Sequence, residues 1–460
     1  MSRLVLPPVT AGETAVVGLG RSGIAASELL LSRGYQVYAF DDGDSDRATS
    51  AAAALSARGA SVQIGGHDVA RIARASLVVV SPGVPPDSPA IVAARDSRRE
   101  IVSEIELALR CGARLRYIAV TGTNGKTTTT ALIGHMLRGL GVDAPDAGNI
   151  GTPLSEIVGK DPLPDWVSLE LSSFQLHDTP SIAPNVGVLT NLSPDHLDRY
   201  ASVADYFADK ALMFRNATDE SSWVVNADDP ASMDMARGVQ GKHHFFSVMT
   251  TSDAWYDRGA GQLAVNGQVL LARSDVALLG DHNVANVLAA ALAVMSADAA
   301  FATGAARTRI ADAIKTFRAL DNRLEVVGEW NGVEWINDSK ATNVASTLVA
   351  VRGMTRPTIL LLGGRHKGEP YTGLAESIAA HVKHVIAFGE SKAIVEHDLS
   401  GVVPLTRIDG SFEEVMAFAR SVSAPGDAVL LSPACSSYDM FNNYVERGAR
   451  FRALAAAAHG

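Results

Sequence analysis

The segment Ala119-Val120-Thr121-Gly122-Thr123-Asn124-Gly125-Lys126-Thr127-Thr128 constrains this chain more than any other. An apolar run at 117–120 enters it and a helical pattern at 129–140 leaves it. Strand, glycine loop and helix in that order make a phosphate cradle. Glycines let backbone N–H groups turn inward on an anion, and the helix N-terminus adds the positive end of its dipole. Lys126 is then placed to reach the β- and γ-phosphates of ATP, and the Thr127 hydroxyl to hold Mg²⁺. The common spacing G-x-x-x-x-G-K-[ST] would put glycine at 120, where this chain has Val120. The compact form, Gly122 to Gly125 followed by Lys126 and Thr127, keeps the functional end of the loop. The competing reading is a plain glycine turn before a surface helix.

A chain of 460 residues is long enough for two to four domains with sizeable apolar cores. Its net charge of −10 argues against a nucleic-acid-binding surface, though not against nucleotides, which need only a local cluster of donors. Two cysteines, Cys111 and Cys435, provide no disulfide framework and suit a reducing compartment. Residues 1–10 do not read as a secretory signal, and no apolar run approaches the ~20 residues needed to span a bilayer. The expectation is a cytoplasmic protein without membrane insertion.

Three α/β blocks follow one another. The first opens with a strand at Thr14–Val17, then Gly18-Leu19-Gly20-Arg21-Ser22-Gly23 and a helical pattern through Leu31. A second strand at 36–40 ends in Asp41-Asp42, matching the dinucleotide fingerprint with its acidic residue about twenty positions on. Any tight strand-to-helix crossing favours the same glycines, so a purely structural role stays open. A strand at 76–80 runs into Ser81-Pro82-Gly83-Val84-Pro85-Pro86, a rigid loop at a sheet's carboxyl edge, where parallel sheets hold ligands. The second block starts near Ile101, with strands at 167–171, 186–190 and from 224. An antiparallel hairpin is expected over 251–273, turning at Asn266-Gly267, and helices at 283–296 and 306–317. The third begins near 320–323, with strands at 333–336, 358–362, 384–388 and 428–431. The alanine-rich tail at 453–458 reads as the end of a last helix.

Glu170 lies in a strand between Leu169 and Leu171, so its carboxylate must be paired, protonated or bound to a metal. A strand end beside a phosphate loop suits a Mg²⁺ ligand; a structural salt bridge is the alternative. In the run Asp195-His196-Leu197-Asp198-Arg199-Tyr200, His196 stands between two carboxylates and could serve as a ligand or be a solvated histidine. Lys210, by itself, is one more helix lysine.

These motifs, in this order, with Glu170-Leu171-Ser172-Ser173-Phe174-Gln175-Leu176 and Asn337-Asp338-Ser339-Lys340-Ala341-Thr342-Asn343, resemble the Mur ligases, the ATP-dependent amide-forming enzymes of peptidoglycan precursor assembly. Leu431-Ser432-Pro433-Ala434-Cys435-Ser436-Ser437 extends the similarity to nearly the whole chain. The resemblance implies three α/β domains. They are a Rossmann-like N-terminal domain over 1–100 for a UDP-substrate, a central P-loop ATPase-like domain with a mostly parallel sheet over 101–319, and a Rossmann-like C-terminal domain over 320–460 for an amino acid. It implies the ATP-dependent addition of D-glutamate to UDP-N-acetylmuramoyl-L-alanine through an acyl phosphate. The expected partners are those small molecules, with no nucleic acid, and the expected state is a monomer.

By the same resemblance Lys210 is carbamylated and, with Thr127, Glu170 and His196, holds Mg²⁺, two ions in all. Lys126, Glu170, His196 and Lys210 form the catalytic set. ATP is met by Gly122, Thr123, Asn124, Gly125, Lys126, Thr127, Thr128, Asn283, Arg323, Asp338 and Lys340. The UDP-substrate falls to Gly20, Arg21, Ser22, Asp41, Ser81, Gly83 and, at its muramoyl portion, Asn149. The amino acid falls to Thr342, Lys367, Ser437 and Tyr444. This chain has Tyr444 where some relatives have phenylalanine, and Arg365-His366 precede Lys367 where those relatives vary. The rival readings are another Mur-type or folylpolyglutamate-type ligase, and an NAD-dependent dehydrogenase that would leave the phosphate loop idle.

Overall fold

Long buried apolar runs become the central strands of three sheets, as expected of parallel strands covered on both faces. The computed structural model describes residues 5–112, 114–195 and 199–457. The first sheet holds β1 (Thr14–Val17), β2 (Val37–Asp41), β3 (Ser61–Ile64), β4 (Leu77–Val80) and β5 (Ile101–Ser103) in the order β3-β2-β1-β4-β5, all parallel. The chain reverses its direction of growth between β1 and β4, and the carboxyl ends of those strands form a crevice.

The second sheet holds β6 (Tyr117–Thr121), β7 (Asp146–Gly148), β8 (Val167–Glu170), β9 (Val186–Leu189), β10 (Ser222–Asn226), β11 (Lys242–Ser247), β12 (Ala254–Asp257), β13 (Gln262–Val265) and β14 (Gln268–Ala272). Its order is β14-β13-β12-β11-β10-β9-β6-β8-β7, parallel except for the pairs β12–β13 and β13–β14. The long helix Asp281–Ala297 packs on the helix Lys126–Gly139 and is buried through most of its length, which its alanine-rich sequence permits.

The third sheet comprises β15 (Glu325–Trp330), β16 (Val333–Asn337), β17 (Thr358–Gly363), β18 (Val382–Phe388), β19 (Leu405–Arg407) and β20 (Ala428–Leu431), ordered β15-β16-β20-β17-β18-β19. Only β15–β16 is antiparallel. The final helix runs Tyr444–Ala457.

Three details differ from the sequence reading. Residues 101–103, assigned there to the start of the second block, pair with β4 and close the first sheet, because Val102 buries into that sheet's core. The segment 251–273 makes two successive antiparallel turns rather than one hairpin, and Asn266 (φ 51°) and Gly267 (φ 72°) form the tight turn of the second. Strands β3, β7, β11, β15 and β19 were not foreseen. β15 is only half-buried and β19 has three residues, so neither carries a clean apolar run. Among the described residues no helix is long and apolar enough to cross a membrane.

The join between the first two sheets holds a buried acid. Glu104 opens the helix Glu104–Cys111; one carboxylate oxygen accepts from Ser155 N–H, and the other is buried without a partner. Burial pushes its carboxyl up to about 7, against the Ser155 hydrogen bond that lowers it. The folded state therefore holds this proton more tightly than the unfolded chain does. Stability contributed by the protonated form is complete below the ordinary glutamate pKa and declines as pH rises to about 7. Glu104→Gln should remove that decline and raise stability at pH 8 by roughly 1–3 kcal/mol, read from urea unfolding at pH 5 and pH 8.

Candidate active site

The phosphate loop joins β6 to the helix Lys126–Gly139, and two of its residues must be glycine. Gly122 (φ 141°) and Gly125 (φ 83°) are left-handed, and a Cβ on them would overlap Thr190 Oγ1 and Asn286 Oδ1 respectively. The loop is braced from beneath by the residues that follow β9. Thr123 N–H donates to Asn191 O at 2.8 Å, and Asn124 N–H to Asn191 Oδ1 at 3.0 Å. Asn124 O accepts from Thr190 Oγ1 at 2.6 Å and from Asn191 Nδ2 at 2.9 Å.

Three charged side chains converge on this loop. Lys126 Nζ folds back to Gly122 O and Thr123 O, at 3.0 and 2.7 Å. Lys210, on the helix Val203–Ala211, is 1% exposed and donates to Gly122 O at 2.6 Å. Its ammonium also lies 4.6 Å from the centre of the Tyr206 ring. Burial, and then the charge on Lys126, hold Lys210 well below the usual lysine range. Lys126 is lowered too, chiefly by desolvation, with Glu170 and Asp195 opposing. Glu170 ends β8 at 1% exposure. One of its oxygens accepts from Asn149 Nδ2 at 2.7 Å; the other is buried with no hydrogen-bond partner.

That orphaned oxygen tests whether a divalent cation fits. A buried carboxylate oxygen without a donor is costly, and a hard cation would satisfy it. Thr127 lies on the same cleft. Among the described residues no three acidic, histidine or cysteine side chains are grouped so that they could by themselves hold a metal ion. His196 lies outside the described residues, so the structure does not place it.

The third sheet supplies the opposite side of the cleft. Arg323 Nη2 donates to Thr127 Oγ1 at 2.6 Å. Asp338 accepts from Ser432 Oγ at 2.8 Å, and burial, against that bond and the Leu324 N–H bond, pushes its carboxyl up to about 7. Lys340 lies 4.0 Å from the Tyr444 ring centre; burial first and Arg323 second bring its ammonium down to about 8. The loops carrying these residues are clamped by Arg447, which is fully buried. Its guanidinium donates to Ser339 Oγ and to the carbonyls of Ser339, Cys435 and Ser436.

One open cleft of about 680 Å³ is lined by Thr123 to Thr127, Asn149, Glu170 and Asp195 from the second sheet, and by Arg323, Lys340, Thr342, Lys367 and Tyr444. Ser437 is buried and is not part of its lining. A side pocket lined by Gly125, Thr128, Asn283, Asn286, His282 and Asp338 continues from it, with Leu278, Leu320 and Val349 as apolar faces. This suits a nucleobase. Asn283 is held there by its own bonds to Leu279 O and Asn286 Nδ2. The sequence reading passed over Asn286, His282 and Ser346, although Asn286 stands one helical turn from Asn283 and Ser346 three residues after Asn343.

A separate crevice of about 410 Å³ at the carboxyl ends of β1, β2 and β4 brings together Gly20, Arg21, Ser22, Asp41, Ser81 and Gly83. The Asp41 carboxylate accepts from the N–H groups of Leu19 and Gly43, which fixes the rim. Glycine is also needed at 23 for packing, since a Cβ there would overlap Gly18 O. Packing and a positive φ thus account for Gly23 and Gly18, whereas a Cβ at Gly20 would meet nothing within 4 Å. Arg21 reaches across to Gly151 O, linking this crevice to the second sheet near Asn149.

Comparison with known proteins accords with this layout. Residues 12–103 match the family described as Mur ligase MurD-like, N-terminal domain; residues 120–294 match the Mur ligase middle domain; residues 322–435 match the Mur ligase, glutamate ligase domain. The UDP-N-acetylmuramoylalanine–D-glutamate ligase of Acidobacterium capsulatum is 38% identical, over 97% of this chain and 96% of its own. That of Chromobacterium violaceum is 40% identical, over 95% of each. Among solved structures, the UDP-N-acetylmuramate–alanine ligase MurC of Thermotoga maritima aligns with a TM-score of 0.62 at 19% identity, covering 97% of this chain and 99% of that one. A pseudomurein peptide ligase type C from Methanothermus fervidus aligns at 0.59 and 18%, covering 96% and 99%. These last two likenesses concern the fold.

Removing the Lys126 charge should abolish most phosphoryl chemistry in the cleft. Lys126→Ala is expected to cost on the order of 10³-fold in turnover while thermal unfolding stays cooperative. Steady-state phosphate release checks it.

Proposed function

The chain belongs to the Mur ligase family, and from that premise we propose that it joins D-glutamate to UDP-N-acetylmuramoyl-L-alanine at the expense of ATP, in peptidoglycan precursor synthesis. One observation carries this reading: a single cleft is lined at once by the phosphate loop, by Asn149 and Glu170, and by Arg323, Lys340, Thr342 and Lys367. A site for ATP, an acceptor carboxylate and an amino acid requires that convergence. The UDP portion is assigned to the crevice at β1, β2 and β4, the adenine to the pocket at Asn283, and the amino acid to Thr342, Lys367, Tyr444 and Ser437.

The chemistry follows from charge. A carboxylate acylates poorly because oxide is a poor leaving group. The carboxylate of the alanyl residue attacks the γ-phosphorus, ADP leaves, and the acyl phosphate now carries a competent leaving group. The glutamate amine, once deprotonated, attacks the carbonyl carbon, and phosphate departs as the amide forms. Lys126 and Arg323 offset charge on the transferring oxygens, and backbone N–H groups at the start of the helix Lys126–Gly139 hold the phosphates. Thr342 and Lys367 orient the amino acid. Glu170 and Thr127 would hold Mg²⁺, which when bound would supply positive charge to offset that on the phosphoryl oxygens.

Glu170 and Thr127, with His196 and a carbamylated Lys210, are proposed to hold two Mg²⁺ ions. The carbamylation reading is supported by the burial of Lys210: a lysine held low is partly neutral, and a neutral amine nitrogen bonds to the carbon of CO₂, loses a proton to solvent and becomes a carboxylate-like oxygen ligand. We further assign the protein to the cytoplasm, acting as a monomer.

Phosphate release measured with UDP-N-acetylmuramoyl-L-alanine, ATP and Mg²⁺ should depend on D-glutamate and respond weakly to L-glutamate or other amino acids. Release that ignores the amino acid, or that prefers L-glutamate, would remove this assignment. Lys210→Ala should lose most activity, and short-chain carboxylates should restore part of it by supplying the missing oxygen ligand. Short-chain amines should not. Full activity in Lys210→Ala, or no response to any carboxylate, would return Lys210 to a simple cation.

A further inference from the structure

Two side-chain hydrogen bonds tie the phosphate loop directly to the third sheet's unit, and they differ in what nucleotide binding must do to them. Arg323 donates to the Thr127 hydroxyl, the group assigned to Mg²⁺. A divalent cation on Thr127 would repel the guanidinium and compete with that bond, which turns Arg323 toward the phosphates. The second bond runs from Ser346 Oγ to Asn124 Oδ1, at 3.1 Å. Neither of its atoms is assigned to the cation or the phosphates, so it can persist with nucleotide bound.

Its position gives it leverage. Asn124 is the tip of the loop, directly before the Gly125 and Lys126 N–H groups that begin the helix. Its backbone is held from beneath by Thr190 and Asn191, while its side-chain carbonyl is held from across the cleft by Ser346. Ser346 lines both the main cleft and the adenine-side pocket. A parallel bond from Asn343 Nδ2 to Asp195 Oδ2, at 3.3 Å, lies on the same side. Asn343 and Ser346 share the first turn of the helix Val344–Arg352, where Asn343 Oδ1 accepts from Ser346 N–H at 2.8 Å.

We infer that Ser346 is a positioning residue for the nucleotide: its hydroxyl keeps the third sheet's unit on the phosphate-loop tip once Arg323 has turned to the phosphates. The inference rests on the ATP reading of the cleft. It assigns Ser346 no contact with reacting atoms. The helix cap uses the Ser346 backbone, so removing the hydroxyl leaves the helix start intact.

The experiment compares Ser346→Ala with Ser346→Thr, which keeps a hydroxyl. ATP binding is titrated in the absence of the other substrates, KM and kcat are measured with all of them, and small-angle scattering is recorded on the ATP-bound protein. Losing one hydrogen bond of this kind should weaken ATP binding and raise its KM about fivefold. The KM for the UDP-substrate and the thermal midpoint should not change, and the ATP-bound protein should become more extended. Ser346→Thr should restore ATP binding. Equal ATP affinity in Ser346→Ala and the parent, or unchanged scattering, overturns the proposal, as does a Ser346→Thr protein as impaired as the alanine variant. ATP titration needs no amide formation, so a parent that binds ATP but makes no amide would defeat the ligase assignment and leave this test standing.

Discussion

The close approach of Gly122 to Thr190 is the constraint on which the rest of the cleft depends. β6 and β9 are hydrogen-bonded neighbours, and the chain leaving each must pass the other without room for a side chain at 122. That contact presents Gly122 O to Lys126 and Lys210 together, so two lysines share one carbonyl. It also lets Thr190 and Asn191 lace the loop tip into place before any ligand arrives. A loop held by its neighbour's backbone does not need to be ordered by the nucleotide, which is the meaning of preorganisation at such a site.

The electrostatics follow from that geometry. Lys126, Lys210, Lys340 and Arg323 crowd a partly dry cleft with Glu170 and Asp195 among them. Burial disfavours the ammonium form of each lysine, and their mutual repulsion adds to it. Triphosphate and carboxylate substrates reverse this balance by bringing the missing negative charge. Glu170 shows the complementary shortage, with one oxygen lacking any donor. The site is therefore built for a set of ligands whose charges complete it, and the third sheet's unit, tied to the loop through Arg323 and Ser346, brings Arg323 and Lys340 to it.

Legibility in the sequence tracked the range of the interaction. The glycine loop, the central parallel strands and the Asn266-Gly267 turn were readable because a strand's burial or a turn's dihedrals are encoded in a few adjacent residues. The edge strands β3, β7, β15 and β19 were not, since edge strands need little apolar sequence. Residues 101–103 went to the wrong block because a three-residue strand carries no sign of which sheet it will join. At the site, Glu170 stood out as an acid between leucines. Ser346 and Asn286 did not, because a serine or asparagine in a helix looks ordinary until its partner from another sheet is known. Arg447 is a stronger case: on a helix with a polar exposed face, a buried guanidinium cannot be told from a solvated one by local pattern.

What the sequence by itself determined is the local chemistry: a strand, a left-handed glycine pair and a helix N-terminus aimed at phosphate, an acid that cannot remain unpaired, and strands of the right length and apolarity for three sheets. The resemblance to the Mur ligases extended that to a reaction. Only the tertiary structure decided which groups meet. It set Lys210 on the same carbonyl as Lys126, left one oxygen of Glu170 without a donor, placed Arg323 on Thr127 and Ser346 on Asn124, and kept Ser437 out of the cleft lining. The physical reason is that dihedral preference and apolar periodicity act over a few residues. Contacts such as Ser346 with Asn124 join positions more than two hundred residues apart, and only the packing of one sheet's unit against another brings them within hydrogen-bonding distance.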